Sequence, residues 1–226
     1  LGISHAQHLS NFHLQLSTCP TAMLTVLDHP LVRRDITLLR DTATPTPDFR
    51  TAMRRIGAML AAEAAKHIEL ATKRVVTPLE ETEGFAFAHD VVLLPVLRAG
   101  AGLVEPFLDV IPDVKIGYMG LRRNEETLQT EEYYFNAPLA ASTLVFVLDP
   151  MLATGGSMSV TIKRVQKAGV KRIVAVSVIA APEGVERVRR ECPDVPMITA
   201  TLDRCLNRVG YILPGLGDAG DRYHGT

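Results

Sequence analysis

Leu144-Val145-Phe146-Val147-Leu148-Asp149-Pro150-Met151-Leu152-Ala153-Thr154-Gly155-Gly156-Ser157 is the stretch whose reading decides the fold. Its first five residues are apolar without alternation, as expected of a strand buried on both faces. An acid closes the strand and a run of small residues follows. Ser157–Ala168 then repeats apolar positions at helical spacing, with Gly169 as the stop. Strand, small-residue loop and helix in that order form one half of a β-α-β unit.

The same alternation extends in both directions. Val91–Leu97, Val114–Met119, Ile173–Ile179 and Met197–Leu202 read as further strands, and Leu103–Val110 and Gly184–Arg190 as further helices. Upstream, the pattern from Asp48 to about Leu70 predicts a long helix with Asp48 as its N-cap after Pro47. Doubly apolar strands alternating with helices give an α/β class with a mostly parallel sheet covered on both sides. In such sheets the working loops gather at the carboxyl ends of the strands, here just after Leu97, Leu148 and Leu202.

The chain has 226 residues, 47% of them hydrophobic, enough for one substantial core. Residues 1–22 read as a leader or tail, and 23–226 as a single domain. His5, His8, His13 and Cys19 fall in that leader at spacings that fit no standard zinc pattern. With 24 Lys and Arg against 25 Asp and Glu, the net charge of -1 supplies no field for nucleic acid or an anionic membrane, so an anionic substrate needs a local site. Three cysteines without CxxC spacing and no secretory pattern at the start point to a reducing, cytoplasmic setting. The longest apolar runs fall short of the ~20 residues of a spanning helix, which predicts a soluble protein.

The loop after Leu148 has the makings of a phosphate cradle. Glycines let the backbone approach an anion, successive N–H groups point inward, Thr154 and Ser157 add hydroxyl donors, and a helix begins there. A nucleoside-triphosphate P-loop would need a Lys before the Ser or Thr, and none is present. An ordinary capped turn is the bland alternative. Two apparent dinucleotide fingerprints fail: Gly100-Ala101-Gly102-Leu103-Val104-Glu105 lacks the third glycine, and only six residues follow Gly215-Leu216-Gly217-Asp218-Ala219-Gly220.

Asp149-Pro150-Met151-Leu152-Ala153-Thr154-Gly155-Gly156-Ser157 resembles the 5-phosphoribosyl 1-pyrophosphate (PRPP) signature of the phosphoribosyltransferases, in the version carried by the uracil phosphoribosyltransferases. Most members of the wider group have two adjacent acids where this chain has Asp149-Pro150. Pro95-Val96-Leu97-Arg98-Ala99-Gly100 is similar to the uracil family's pyrophosphate-binding segment, and Arg123 to its second PRPP-contacting arginine. Gly210-Tyr211-Ile212 with Gly217-Asp218-Ala219 resembles its uracil-binding segment. The likeness runs from about His29 to the C-terminus; Gln129-Thr130-Glu131-Glu132-Tyr133 departs from it in lacking a Pro before the Tyr.

The resemblance implies a type I phosphoribosyltransferase fold with a lid arm and a C-terminal hood over the base. It implies joining of uracil and PRPP into UMP with release of pyrophosphate, and a homo-oligomer, dimer or tetramer. Some members respond to GTP. It assigns PRPP to residues 149–157 with Arg98, Arg123 and Asp218, the base to Ile212, Gly217, Asp218 and Ala219, and catalysis to Asp218, Arg98 and Arg123. Mg²⁺ is the implied cofactor, held through PRPP and water because no carboxylate cage is apparent. Two other readings stand beside it: a transferase for a different base, and an RNA-binding regulator on the same fold, which would need a basic face.

Overall fold

A computed structural model describes residues 24–123 and 130–226. The chain opens with β1 (Leu24–Val26), α1 (Pro30–Arg40) and α2 (Thr46–Ala64). His29 caps α1 by accepting the Leu31 N–H, and Pro30 supplies the preset φ suited to a first turn. The cap of α2 lies three residues before the expected one: Pro45 is the N-cap, and Asp48 is an acid of the first turn. There it still faces the positive end of the helix dipole. The helix ends at Ala64 and gives way to a 3-10 turn, Ala65–His67, so it is shorter than the predicted run to Leu70.

Leu70 instead opens a two-stranded antiparallel hairpin, β2 (Leu70–Val76) with β3 (Glu81–Phe87), separate from the main sheet. Next come β4 (Val91–Leu97), α3 (Val104–Val110), β5 (Lys115–Ile116), β6 (Tyr118–Arg123) and β7 (Thr130–Asn136). The expected strand Val114–Met119 is thus divided at Gly117, whose N–H donates to the Leu93 carbonyl at 2.9 Å. The remaining elements are β8 (Leu144–Leu148), β9 (Met151–Leu152), α4 (Gly156–Lys167), β10 (Arg172–Ala180), α5 (Pro182–Glu191), β11 (Met197–Leu202), β12 (Cys205–Leu206), β13 (Ile212–Leu213) and α6 (Ala219–His224).

The main sheet runs β1-β11-β10-β8-β4-β6-β7, parallel except for the β6/β7 pair, with β5 beside β4 and β9 beside β10. Successive residues of each central strand serve opposite cores. Val91, Leu93, Phe146, Leu148 and Val176 face α2 and α3 through Phe49, Met53, Ile56, Leu60 and Phe107. Val92, Leu94, Val145, Val147 and Ala175 face α4 and α5 through Met158, Ile162, Val165, Val185 and Val188. Burial on both faces explains why these strands read as unbroken apolar runs.

Candidate active site

Register places the working loops side by side. Pro95 is level with Leu148, so the loops that leave β4 and β8 emerge as neighbours. Next to them, β10 pairs with β9 at Ile179–Met151 and Ala180–Leu152, and with β11 at Ala180–Leu202. The carboxyl edge of the sheet is therefore one continuous rim, where anion and nucleotide sites of open α/β sheets occur.

On that rim lies a cleft of about 290 Å³. Arg98 and Ala99 from the β4 loop, Asp149, Met151, Ala153 and Ser157 from the β8 loop, and Ile212 with Gly217–Ala219 from the C-terminal segment all line it. Three segments that the sequence singled out separately are thus brought together. Leu121 and Tyr211 also line the cleft; sequence reasoning passed over Leu121 and quoted Tyr211 within the uracil-like segment without assigning it a role. The signal for Tyr211 was its place between two glycine-rich turns; Leu121 lies on a strand the apolar pattern left incomplete.

Not every residue of the predicted cradle faces the cleft. The Pro150 carbonyl accepts the Val178 and Ile179 N–H groups, both at 3.0 Å. Leu152 is buried with the α4 and α5 core, and its carbonyl accepts from Ala181 at 2.9 Å. These two fasten the loop to β10 while Met151 and Ala153, which alternate with them, face the opening, as strand alternation requires. Gly155 is the N-cap of α4, and the Thr154 hydroxyl accepts the Gly156 N–H at 3.4 Å. Arg123 closes β6, and its side chain lies outside the described residues, as do 124–129 and His5, His8, His13 and Cys19 of the leader.

Asp149 accepts the Met151 N–H at 3.2 Å. Burial pushes its carboxyl up to about 6, with that hydrogen bond opposing the rise. An acid poised near neutrality in a cleft is a functional-site signal, since a merely structural carboxyl gains nothing from losing its water.

Arg98 follows a cis Leu97–Arg98 peptide and leads a 3-10 turn, Ala99–Leu103. Its guanidinium donates to the Asp221 carboxylate at 2.9 Å, and both side chains are about half exposed. Gly100 packs so closely on the Leu148 carbonyl that a Cβ would collide with it, which keeps the Arg98 turn pressed against the end of β8. Asp218 is the N-cap of α6 and accepts the Asp221 N–H at 2.9 Å. Asp221 thus belongs to α6 and to the Arg98 turn together, a link that sequence reasoning missed because its partner stands 123 residues away.

Asp149 and Asp218 are the carboxylates lining the cleft. Among the described residues, no three His, Cys, Asp or Glu side chains come together as a metal-binding group. An oxygen-only pair suits a hard cation that keeps most of its ligands from substrate and water.

Residues 26–226 match the family model described as uracil phosphoribosyltransferase. A uracil phosphoribosyltransferase of Salinibacter ruber is 47% identical over 204 residues, covering 90% of this chain and 97% of the relative. One from Thermosipho melanesiensis is 46% identical over 205 residues, covering 90% and 99%. The solved structure of the AQ2163 protein from Aquifex aeolicus superposes with a TM-score of 0.85 at 37% identity, over 90% of this chain and 99% of that one. A hypoxanthine-guanine phosphoribosyltransferase from Bacillus anthracis gives a TM-score of 0.50 at 12% identity over 70% and 80%, a likeness of fold alone.

Proposed function

Because this chain belongs to the uracil phosphoribosyltransferase family, we propose that the cleft on the carboxyl edge of its sheet is the site where uracil meets PRPP. The fold is the type I phosphoribosyltransferase fold, and the reaction joins uracil to C1 of PRPP, releasing UMP and pyrophosphate, in pyrimidine salvage. The observation that carries the assignment of the site is the convergence of the β8 loop, the Arg98 turn and the Ile212–Ala219 segment on one cavity.

In this reading, the 5-phosphate lies on the start of α4, with the Ser157 hydroxyl on the cleft wall and Thr154 beside it as donors. Asp149 accepts hydrogen bonds from the ribose hydroxyls. Arg98, with the amides that follow it, takes the pyrophosphate, and Arg123 at the end of β6 is assigned by resemblance to the same group. Uracil presents two acceptors around an N–H, which backbone groups at Ile212 and Gly217–Ala219 match; cytosine would leave some of them unpaired.

Catalysis is displacement at the anomeric carbon, with uracil N1 attacking opposite the departing pyrophosphate. No covalent nucleophile is required, so the work is alignment and stabilisation of developing charge. Asp218, at the meeting point of the two substrates, accepts the N1 proton through water or offsets positive charge at the ribosyl carbon. Mg²⁺, held near Asp149 and Asp218 through substrate and water, would supply neutralisation of the leaving group.

The finer attributes rest on the family likeness and simple physical support. Homo-oligomerisation is supported by the β2–β3 hairpin, which leaves Val76 80% and Leu79 95% exposed. GTP activation is carried by the resemblance alone. A cytoplasmic location is supported by free thiols at Cys192 and Cys205. No described helix is long and apolar enough to cross a membrane. The test is incubation with PRPP, Mg²⁺ and uracil, cytosine, thymine, hypoxanthine or orotate, following pyrophosphate release. Uracil should be strongly preferred; equal kcat/KM for a purine would reject the assignment of the base.

A further inference from the structure

Outside the lining of the cleft, a largely buried ion pair holds both polar groups of one backbone residue. Arg40, the last residue of α1, donates to Asp203 through both guanidinium nitrogens, at 2.8 and 2.5 Å. The nitrogen at 2.8 Å also donates to the Gly215 carbonyl at 3.0 Å, while the Gly215 N–H donates to the Asp203 carboxylate at 2.8 Å. The Asp203 side chain is only 3% exposed, and its backbone N–H is tied to the Ala180 carbonyl at 2.8 Å, at the end of β10. Desolvation raises the Asp203 carboxyl, but the Arg40 and Gly215 hydrogen bonds outweigh it and hold the group below the usual carboxylate range.

Gly215 is where the C-terminal segment reverses. Its φ is +69°, and a Cβ would strike the Ile212 carbonyl, so the reversal runs between the two halves of the segment assigned to uracil. Its N–H and C=O are buried and need partners from outside the turn. On the neighbouring residue, Arg222 donates to the Leu216 carbonyl at 2.9 Å and also to the carbonyls of Leu39 and Asp41, at the same end of α1.

Replacing a buried ion pair by apolar residues is often neutral for stability, so stability alone does not account for this one. Its value lies in geometry. We propose that Arg40 and Asp203 are positioning residues for base selection: they set the Gly215 turn so that Ile212 on one side and Gly217–Ala219 on the other present their backbone groups at the spacing uracil requires. This rests on the base assignment made above. Neither residue lines the cleft, and the 149–157 loop hangs from another strand, so the effect should fall mainly on the base.

The test uses Arg40→Lys and Asp203→Asn in the full chain. Lysine keeps the charge but cannot bridge Asp203 and the Gly215 carbonyl in one planar fork. Asparagine keeps the shape and leaves Arg40 without a counter-charge. Asp203→Asn should raise the KM for uracil about tenfold or more and lower uracil-over-cytosine selectivity, while the KM for PRPP stays within about twofold; Arg40→Lys should fall between it and the parent. Thermal melts identify a variant that fails to fold, in which case the milder Arg40→Lys carries the test. A lowered Tm with unchanged uracil KM and selectivity, or an equal rise in the KM for PRPP, would overturn the proposal. Hydrogen exchange of the parent with UMP separates the two assignments: protection of residues 212–219 with unchanged kinetics in the variants removes the clamp alone, and no protection there removes the base assignment and the clamp with it.

Discussion

Asp149 couples stability and affinity at one atom group. Burial pushes its carboxyl up to about 6 in the folded chain, from an ordinary value of 3.8. Between these values the folded state keeps a proton that the unfolded state has lost, so this group makes stability fall as pH rises through that window and level off above it. Asp149→Asn removes the buried charge. Its Tm should exceed the parent's at pH 7 to 8, and the gap should close toward pH 4. In activity the order reverses: kcat/KM for PRPP should decline below pH about 6 in the parent, because the protonated acid is a poor acceptor, and that limb should be missing from the variant. A parent and variant with parallel Tm profiles would remove the buried charge from the account.

Asp218 poses a sharper choice, because its visible role is as the cap of α6. Asparagine caps as well as aspartate, so Asp218→Asn should leave the melting temperature unchanged. If the carboxylate also serves the reacting centre, kcat should fall ~10²-fold or more. Normal kcat with normal stability would leave Asp218 as a cap only.

At the scale of elements, the tie between the Arg98 turn and α6 matters most. An exposed ion pair contributes little to stability, about 0–1 kcal/mol, so on the proposed assignment the Arg98–Asp221 contact leaves the guanidinium free to exchange Asp221 for pyrophosphate. Arg98→Ala should therefore lower kcat and weaken PRPP binding with little change in Tm, and Arg98→Lys should recover only part of the loss. Full activity in steady-state assays of Arg98→Ala would show the turn to be architectural.

The elements also show what the sequence could and could not convey. Val91–Leu97 and Leu144–Leu148 were legible to the residue because burial on both faces removes all alternation, and Met197–Leu202 likewise over its first four residues, with Thr201 and Leu202 nearer the surface. Pro95 did not spoil its strand: it stands where β5 has ended and β6 has yet to pair, so the ladder is already interrupted there. The β2–β3 hairpin went unread because its residues are nearly all exposed and carry no burial pattern. Helix α1 has the signals, with a Pro at its start and Val32, Ile36 and Leu39 on one face, but it is short and highly charged. Of the candidate site, cleft-lining residues that share a segment, such as Asp149, Met151, Ala153 and Ser157, could be named from the sequence. Partners joined only by folding, such as Arg98 with Asp221 or Arg40 with Asp203, could not be found from one chain read in order.

On the scale of the whole molecule, the hairpin is the part that the chain's own core does not cover. Leu70, Val76, Leu79 and Phe85 are all more than half exposed on it. A monomer carrying such a surface is prone to associate, so the protein should sediment as a homo-oligomer. Leu79→Asp together with Phe85→Asp should shift it toward monomer in analytical ultracentrifugation without unfolding the sheet, whose cores lie elsewhere. A monomeric parent would refute the oligomer.

The anchoring of the Gly215 turn on the end of α1 also bears on how the enzyme could be re-engineered. A variant library confined to the walls of the cleft would sample the groups facing a pyrimidine and leave untouched the frame that spaces them. Arg40, Asp203 and Arg222 do not line the cleft, yet all three bond the backbone of Gly215 or Leu216 in the segment proposed to carry the base. Selections for altered pyrimidines should randomise these three together with their backbone partners, since a single change among them strands a buried charge while a matched set can bend the segment to a new ligand.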